Sequence, residues 1–285
     1  MKAQFEEKEF ETQINSEISA QNGFIYAPGQ VLENKIGIDV ALVCSSTEFW
    51  KLFASPVPSS LYPVNIVPGG FELNASYWRA LDDCIERFPK FKFNLFLQHK
   101  RPEYLEDARS KEWEDWGAPY FRFNLTKHQQ SALESLDNHA GEDALVGYSS
   151  PAFYTYSDLW MYSAGNEVVK NTNFVKASTL SGHHRYTYVE PGSGGKACSE
   201  VVQVPGFDLA EEAARRRDRV VGSNRDMIFR LEKQIDISID GTNMREEIDR
   251  IVGFISGDMT RLARSIVRVN AFSIMTKTRW MIGID

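Results

Sequence analysis

The feature that most constrains the fold is an apolar run at residues 36–43 (IGIDVALV) that contains a single charge, Asp39. Even and odd positions of the run are both apolar, which is typical of a strand buried on both faces in a sheet covered by helices. A second buried strand is predicted over residues 91–100 (FKFNLFLQHK). The two runs predict an α/β protein with a mixed sheet core flanked by helices.

The remaining elements are predicted from hydrophobic periodicity. Phe10, Ile14 and Ile18 recur every four residues, so residues 4–20 are predicted as a helix with one apolar stripe. Further helices are predicted at 76–88, 126–137, 157–163, 208–221 and 244–268, and further strands at 31–32, 120–125 and 144–148.

The chain of 285 residues is long enough for one large domain, or for a core with an appendage. We predict a core over residues 1–165, with an insertion at 45–90 that is rich in Pro and Gly in its first half. Residues 166–285 are predicted to be a C-terminal extension, mixed at first and then helical, that serves recognition or oligomerisation.

Composition excludes several classes of protein. Hydrophobic residues are 42% and charged residues 25% of the chain, as in globular proteins. No apolar run approaches the ~20 residues that span a bilayer, and the N-terminal residues lack the apolar core of a signal peptide. The 3 cysteines have no CxxC spacing, which argues against a disulfide framework or structural zinc. We therefore expect a cytoplasmic protein without a membrane partner.

The net charge of −7 is a poor overall match to nucleic acid, whose phosphates attract basic surfaces. A local basic surface can still bind phosphate, and the chain offers candidates for it. These are Arg101, Arg185, Arg215, Arg216 and Arg217. The alternative is that the helical arginines form a solvated helix face.

The residues with the clearest chemical potential are Asp39 and the pair Gln98 and Lys100. An unpaired carboxylate is expensive to bury, and a divalent cation would compensate Asp39. Gln98 and Lys100 are two apart on a strand and share a face, whereas His99 points the other way. Carboxylate and amide oxygens suit Mg²⁺ or Mn²⁺, and a lysine beside them can polarise a water or stabilise charge at phosphorus.

A carboxylate from the first helix would complete such a site. Glu11 flanks the apolar stripe and is the preferred candidate, Glu7 one turn earlier is the alternate, and Glu17 is weaker. The predicted metal ligands are Glu11, Asp39 and Gln98. The predicted catalytic set is Glu11, Asp39, Gln98 and Lys100.

This set of residues resembles the PD-(D/E)XK, or restriction-endonuclease-like, superfamily. It is most similar to the branch with a QxK triplet, here Gln98-His99-Lys100, in which a helix with a Phe-Glu pair, here Phe10-Glu11, precedes the strands. The resemblance covers roughly the first 155 residues. It implies a metal-dependent DNA endonuclease in bacterial restriction or anti-phage defence, acting as a homo-oligomer or with a partner defence subunit.

Other interpretations remain open at this point. Asp39 can cap a turn and Lys100 can extend to solvent at a strand end, in which case the chain is a catalytically inactive nuclease-fold protein that binds nucleic acid or protein. RNA is an alternative substrate. The segment Gly192–Lys196 lacks the GxxxxGK[ST] spacing of a phosphate-binding loop and is predicted to be a hairpin turn.

Overall fold

The fold is taken from a computed structural model. It describes residues 1–20, 24–26, 65–67, 70–72, 79, 82, 83, 85–192, 194–254 and 259–284. The helices are α1 (Glu7–Ala20), α2 (Trp113–Trp116), α3 (Lys127–Ala140), α4 (Tyr156–Gly165), α5 (Leu209–Arg217), α6 (Asn224–Ser238), α7 (Asn243–Phe254) and α8 (Arg261–Met275). The strands are β1 (Phe24–Tyr26), β2 (Asn65–Val67), β3 (Gly70–Glu72), β4 (Phe91–His99), β5 (Glu103–Leu105), β6 (Tyr120–Asn124), β7 (Ala144–Pro151), β8 (Thr172–Lys176), β9 (Arg185–Tyr188), β10 (Gly195–Cys198), β11 (Val201–Val204) and β12 (Arg279–Ile284).

The first sheet is mixed and has the strand order β1-β12-β4-β7-β8. β4 and β7 are parallel, and the other neighbours in this sheet are antiparallel. Alternate side chains of β4 meet different helices: Phe96 contacts Phe272 of α8 edge-on, and His99 contacts Phe10 of α1. Helices therefore cover both faces of β4, which explains why the strand is apolar on both sides.

The second sheet is antiparallel and has the order β11-β10-β9-β6-β5. Its aromatic side chains contact the end of β7, where Phe123 lies 5.7 Å from Tyr148 between ring centroids. The Tyr188 hydroxyl lies 2.7 Å from both Ser150 Oγ and the Pro151 carbonyl oxygen, within hydrogen-bonding distance of each. These contacts join the second sheet to the carboxyl end of β7.

The predicted α/β class is confirmed, and most predicted elements between residues 91 and 165 agree within a few residues. The single helix predicted over 244–268 is wrong, because α7 and α8 are separate helices. The predictions omitted α6 and β12. The antiparallel pairing of β9 with β10 agrees with the hairpin predicted at 192–196, although Gly195 and Lys196 already belong to β10 and Ser193 lies outside the described residues.

The predicted boundary at residue 165 divides the mixed sheet. β8 and β12 follow that boundary in sequence but belong to the same sheet as β4. β12 inserts between β1 and β4, so the C-terminal strand completes the core. No helix in the described part of the chain is long and apolar enough to span a membrane.

The buried side chain of Trp280 in β12 provides a test of this arrangement. Its ring stacks on Phe96 at an interplanar angle of 3°, and its Nε1 donates to Asn94 Oδ1 at 3.0 Å. Trp280→Ala should lower the free energy of unfolding by about 3–5 kcal/mol, measured by urea denaturation, because it leaves a cavity in the core. The matched control Trp160→Ala, at a side chain that is 57% exposed, should change it by less than about 0.5 kcal/mol. Equal effects would contradict the central place of β12.

Candidate functional site at the ends of β4 and β7

The candidate site lies where the parallel strands β4 and β7 end. Ligands of α/β sheets commonly bind beyond the carboxyl ends of parallel strands. Gln98 pairs in register with Tyr148 across these two strands, and Lys100 follows β4 directly. The structure thus brings together Gln98, Lys100 and Tyr148.

Gln98 is buried, and its amide group is fixed by two acceptors. Nε2 donates to Gln129 Oε1 at 3.0 Å and to the Thr276 carbonyl at 2.6 Å. A carbonyl can only accept, so the amide nitrogen must lie on that side. Oε1 is buried and has no hydrogen-bond partner in the described part of the chain. The local fold therefore requires Gln rather than Glu at position 98, because a carboxylate would face two acceptors.

Lys100 is half-buried beside an aromatic ring. Its Nζ lies 5.5 Å from the centroid of the Tyr148 ring, and it makes no ion pair with any described residue. Burial lowers the pKa of Lys100 to about 8, the charge of Glu7 opposes this shift, and that of Lys277 adds to it. Among the described residues, this cation is only weakly compensated.

Tyr148 is itself held in place beneath Lys100. Its hydroxyl donates to Gln130 Oε1 at 2.5 Å, and Gln130 Nε2 donates to the Ala177 carbonyl at 2.9 Å. Burial raises the pKa of Tyr148, so the phenol stays protonated. The ring is thus a fixed wall of the site rather than an acid or base.

His99 lies on the opposite face of β4, towards α1. Its ring nitrogens contact Ser149 Oγ at 2.6 Å and Asn15 Oδ1 at 3.1 Å. Complete burial lowers the pKa of His99 to about 3. Serine and histidine also occur together with a third polar residue in nucleophilic catalytic sites. Here His99, Ser149 and Asn15 are all buried, and the most exposed of them, His99, is only 3% exposed. The network therefore joins α1 to the sheet in a region closed to solvent.

The carboxylates of α1 do not all reach the site. Glu11 pairs with Lys8 at 3.0 Å and belongs to a helix on the His99 side of the sheet, whereas Gln98 faces α3 and α8. These two predicted metal ligands are thus on opposite faces. Glu17 accepts from the backbone amide of Val168 at 2.7 Å. Glu7 is the α1 carboxylate whose charge acts on Lys100.

Asp39 and the strand predicted over 36–43 lie outside the described residues. The prediction required that strand to neighbour β4. Within the described residues, β12 pairs with β4 from Phe91 to Leu97 along one edge, and β7 pairs with it from Asn94 to His99 along the other. In the part of the chain that the structure describes, no three His, Cys, Asp or Glu side chains are grouped to hold a metal.

The arginines predicted to bind nucleic acid on α5 have protein partners. Arg215 pairs with Glu142 at 2.7 Å, and Arg216 is buried against Glu212. The Arg217 guanidinium lies 5.1 Å from the Phe24 ring centroid. Because Glu142 precedes β7, these pairs lie at the amino end of that strand, away from Lys100.

The other two predicted arginines are also engaged within the protein. Arg101 donates to the Ala3 carbonyl and to Glu6, at 2.6 and 2.7 Å. Arg185 pairs with Glu112, a buried carboxylate. Arg101 adjoins the site, but its guanidinium ties the N-terminal residues to β4.

Sequence reasoning missed four of the residues that complete the site: Gln129, Gln130, Tyr148 and Thr276. Gln129 and Gln130 lie on the first turn of α3, and Thr276 follows α8. Only the polar character of two adjacent glutamines on a helix with an apolar face gave any signal.

Comparison of this chain with protein-family models, with curated proteins and with solved structures found no match.

The buried His99 makes a testable contribution to stability. The unfolded chain takes up a proton on this residue below its ordinary pKa of 6.5, while the folded protein keeps the ring neutral to about pH 3. Stability is therefore lost as the pH falls. Between pH 7 and 5 the loss from His99 should be about 2 kcal/mol. His99→Gln should remove this part of the pH dependence in urea denaturation, and His128→Gln at an exposed site should not. Parallel pH profiles for all three proteins would contradict this assignment.

Proposed function

We propose that this protein is a Mg²⁺-dependent DNA endonuclease with a restriction-endonuclease-like core. The proposal is supported chiefly by the position of Lys100, a half-buried cation without a carboxylate partner among the described residues, next to Gln98 at the carboxyl edge of a parallel strand pair. The crossover from β4 through α3 to β7, with α1 on the other face, agrees with the element order that the resemblance implies.

A phosphodiester is a natural ligand for Lys100. Desolvating a cation is unfavourable unless an anion compensates it. The negative charge of Glu7 only partly offsets the effect of burial on Lys100. A phosphate placed at this edge would gain a strong, directed interaction because little water screens it. Lys100 would then stabilise the negative charge that develops at phosphorus during hydrolysis.

The donor set fits a hard cation. Gln98 Oε1 is a buried oxygen without a partner in the described part of the chain, and amide and carboxylate oxygens are the preferred ligands of Mg²⁺. We propose that Gln98 and Asp39 hold the metal with Glu7, which belongs to the helix on the other face of β4 but whose charge reaches Lys100 beyond the end of that strand. Glu7 is favoured over Glu11 because its charge acts at Lys100. When bound, the metal would activate a water and screen the phosphate.

Target recognition is proposed to need a second copy of the chain or a partner defence subunit. The net charge of −7 opposes binding to DNA over the whole surface. Four of the five arginines that the sequence suggested for this role form ion pairs within the protein. We place the proposed role in restriction or anti-phage defence.

Cleavage of supercoiled plasmid in Mg²⁺ or Mn²⁺ tests the proposed activity. Lys100→Ala should reduce the rate by about 100-fold or more, the usual effect of removing one group that stabilises transition-state charge. Lys170→Ala is the matched control, since Lys170 forms an exposed pair with Glu167, and should cut like the wild type. A wild type that binds DNA but never cuts it would favour the binding-module alternative. A panel with single-stranded DNA and RNA distinguishes the substrate.

Three carboxylate variants test the metal ligands. Asp39→Asn and Glu7→Gln should each raise the Mg²⁺ concentration needed for half-maximal cleavage or abolish cleavage, because each removes a hard anionic ligand. Glu11→Gln should leave this concentration unchanged. The reverse ranking of Glu7 and Glu11 would restore Glu11 as the ligand and exclude Glu7.

A further inference from the structure

Lys277 occupies a backbone position that a lysine rarely adopts. It follows the end of α8 with a φ of 52°. The Lys277 amide donates to the Ile274 carbonyl at 3.0 Å, and the Thr278 amide donates to the Ser273 carbonyl at 2.9 Å. This pair of hydrogen bonds is the helix-ending motif whose left-handed residue is usually Gly and sometimes Asn.

The same motif ends α4, with the residue that the geometry favours. Asn166 there has a φ of 53°, and the Glu167 amide donates to the Tyr162 carbonyl at 2.8 Å. Asn166 and Lys277 are the two non-glycine residues with positive φ in the described part of the chain. A lysine at this position is strained by its β-carbon, so the backbone does not explain its presence.

The turn that carries Lys277 is built against the candidate site. The Thr276 carbonyl accepts from Gln98, and the Met275 carbonyl accepts from Gln129 at 3.1 Å. β12 begins two residues later, with Arg279 opposite Leu97. Lys277 therefore lies alongside the end of β4, the strand that Lys100 follows.

Two lysines side by side repel each other unless an anion lies near them. The positive charge of Lys277 adds to the lowering of the pKa of Lys100. Lys277 is exposed and has no ion pair with the described residues. We propose that Lys277 binds a backbone phosphate of nucleic acid adjacent to the phosphate at Lys100. The identity of this ligand rests on the proposed function, whereas the position of the cation does not.

A structural role is the competing explanation. A cation near a helix C-terminus interacts favourably with the helix dipole. In that case neutral residues at position 277 would lower the melting temperature and leave binding intact. If Lys277 binds phosphate, we expect the opposite result. Lys277→Gly should relieve backbone strain and raise the melting temperature by about 2–4 °C, and it should weaken binding to DNA.

The experiment measures fluorescence anisotropy of a labelled DNA duplex of roughly 20 base pairs, in EDTA so that no cleavage occurs. Titrations at several KCl concentrations between about 50 and 200 mM give the salt dependence of the association constant. Lys277→Gly and Lys277→Asn should weaken binding about tenfold at the lowest salt and reduce the slope of log K against log[KCl] by about 1, as expected for one lost phosphate contact. Asn166→Gly, at the same backbone geometry away from the site, is the matched control and should bind like the wild type.

The outcomes separate this inference from the proposed function. Unchanged affinity and slope in both Lys277 variants would overturn it, even if the wild type cuts DNA. A wild type that does not bind the duplex would overturn it as well. Weakened binding in these variants, with no cleavage by the wild type in Mg²⁺, would uphold the phosphate contact and reject the nuclease.

Discussion

The rest of the structure depends on the burial of β4. This strand pairs with β12 along one edge and with β7 along the other, and helices cover both of its faces. Polar side chains near its carboxyl end fix its register, because a shift of one residue would separate His99 from Ser149 and turn Gln98 away from its acceptors. The α8–β12 turn and the first turn of α3 are held against its end by the two hydrogen bonds that Gln98 donates.

The alternation of side chains along β4 separates structural and functional roles at its carboxyl end. His99 points towards α1 and is locked by Ser149 and Asn15, so it contributes to the core. Gln98 and Lys100 point to the other side, where α3, Tyr148 and the turn after α8 surround them. On the α1 side of β4, His99 therefore lies in a core that excludes water. On the opposite side, Lys100 places a cation at the rim of the site.

The pairing of charged side chains also differs between the two ends of β4 and β7. Most arginines form ion pairs within the protein, and Arg215 and Arg216 on α5 compensate Glu142 and Glu212 near the amino end of β7. At the carboxyl end, Lys100 and Lys277 lack such partners among the described residues. An acidic protein can in this way keep a small cationic area at one edge, where the local field rather than the net charge acts on an anion.

The sequence by itself determined the α/β class, the strand at 91–100, the helices at 4–20 and 126–137, and the shared face of Gln98 and Lys100. These follow from local periodicity, which needs no knowledge of distant residues. Tertiary structure alone decided that β12 neighbours β4, that Glu11 lies across the sheet from Gln98, and that Thr276 and Lys277 join the site. These relations depend on which distant segments pack together. A single strand pattern such as RWMIGI carries no information about its partner, because any buried strand offers equivalent backbone hydrogen bonds on both edges.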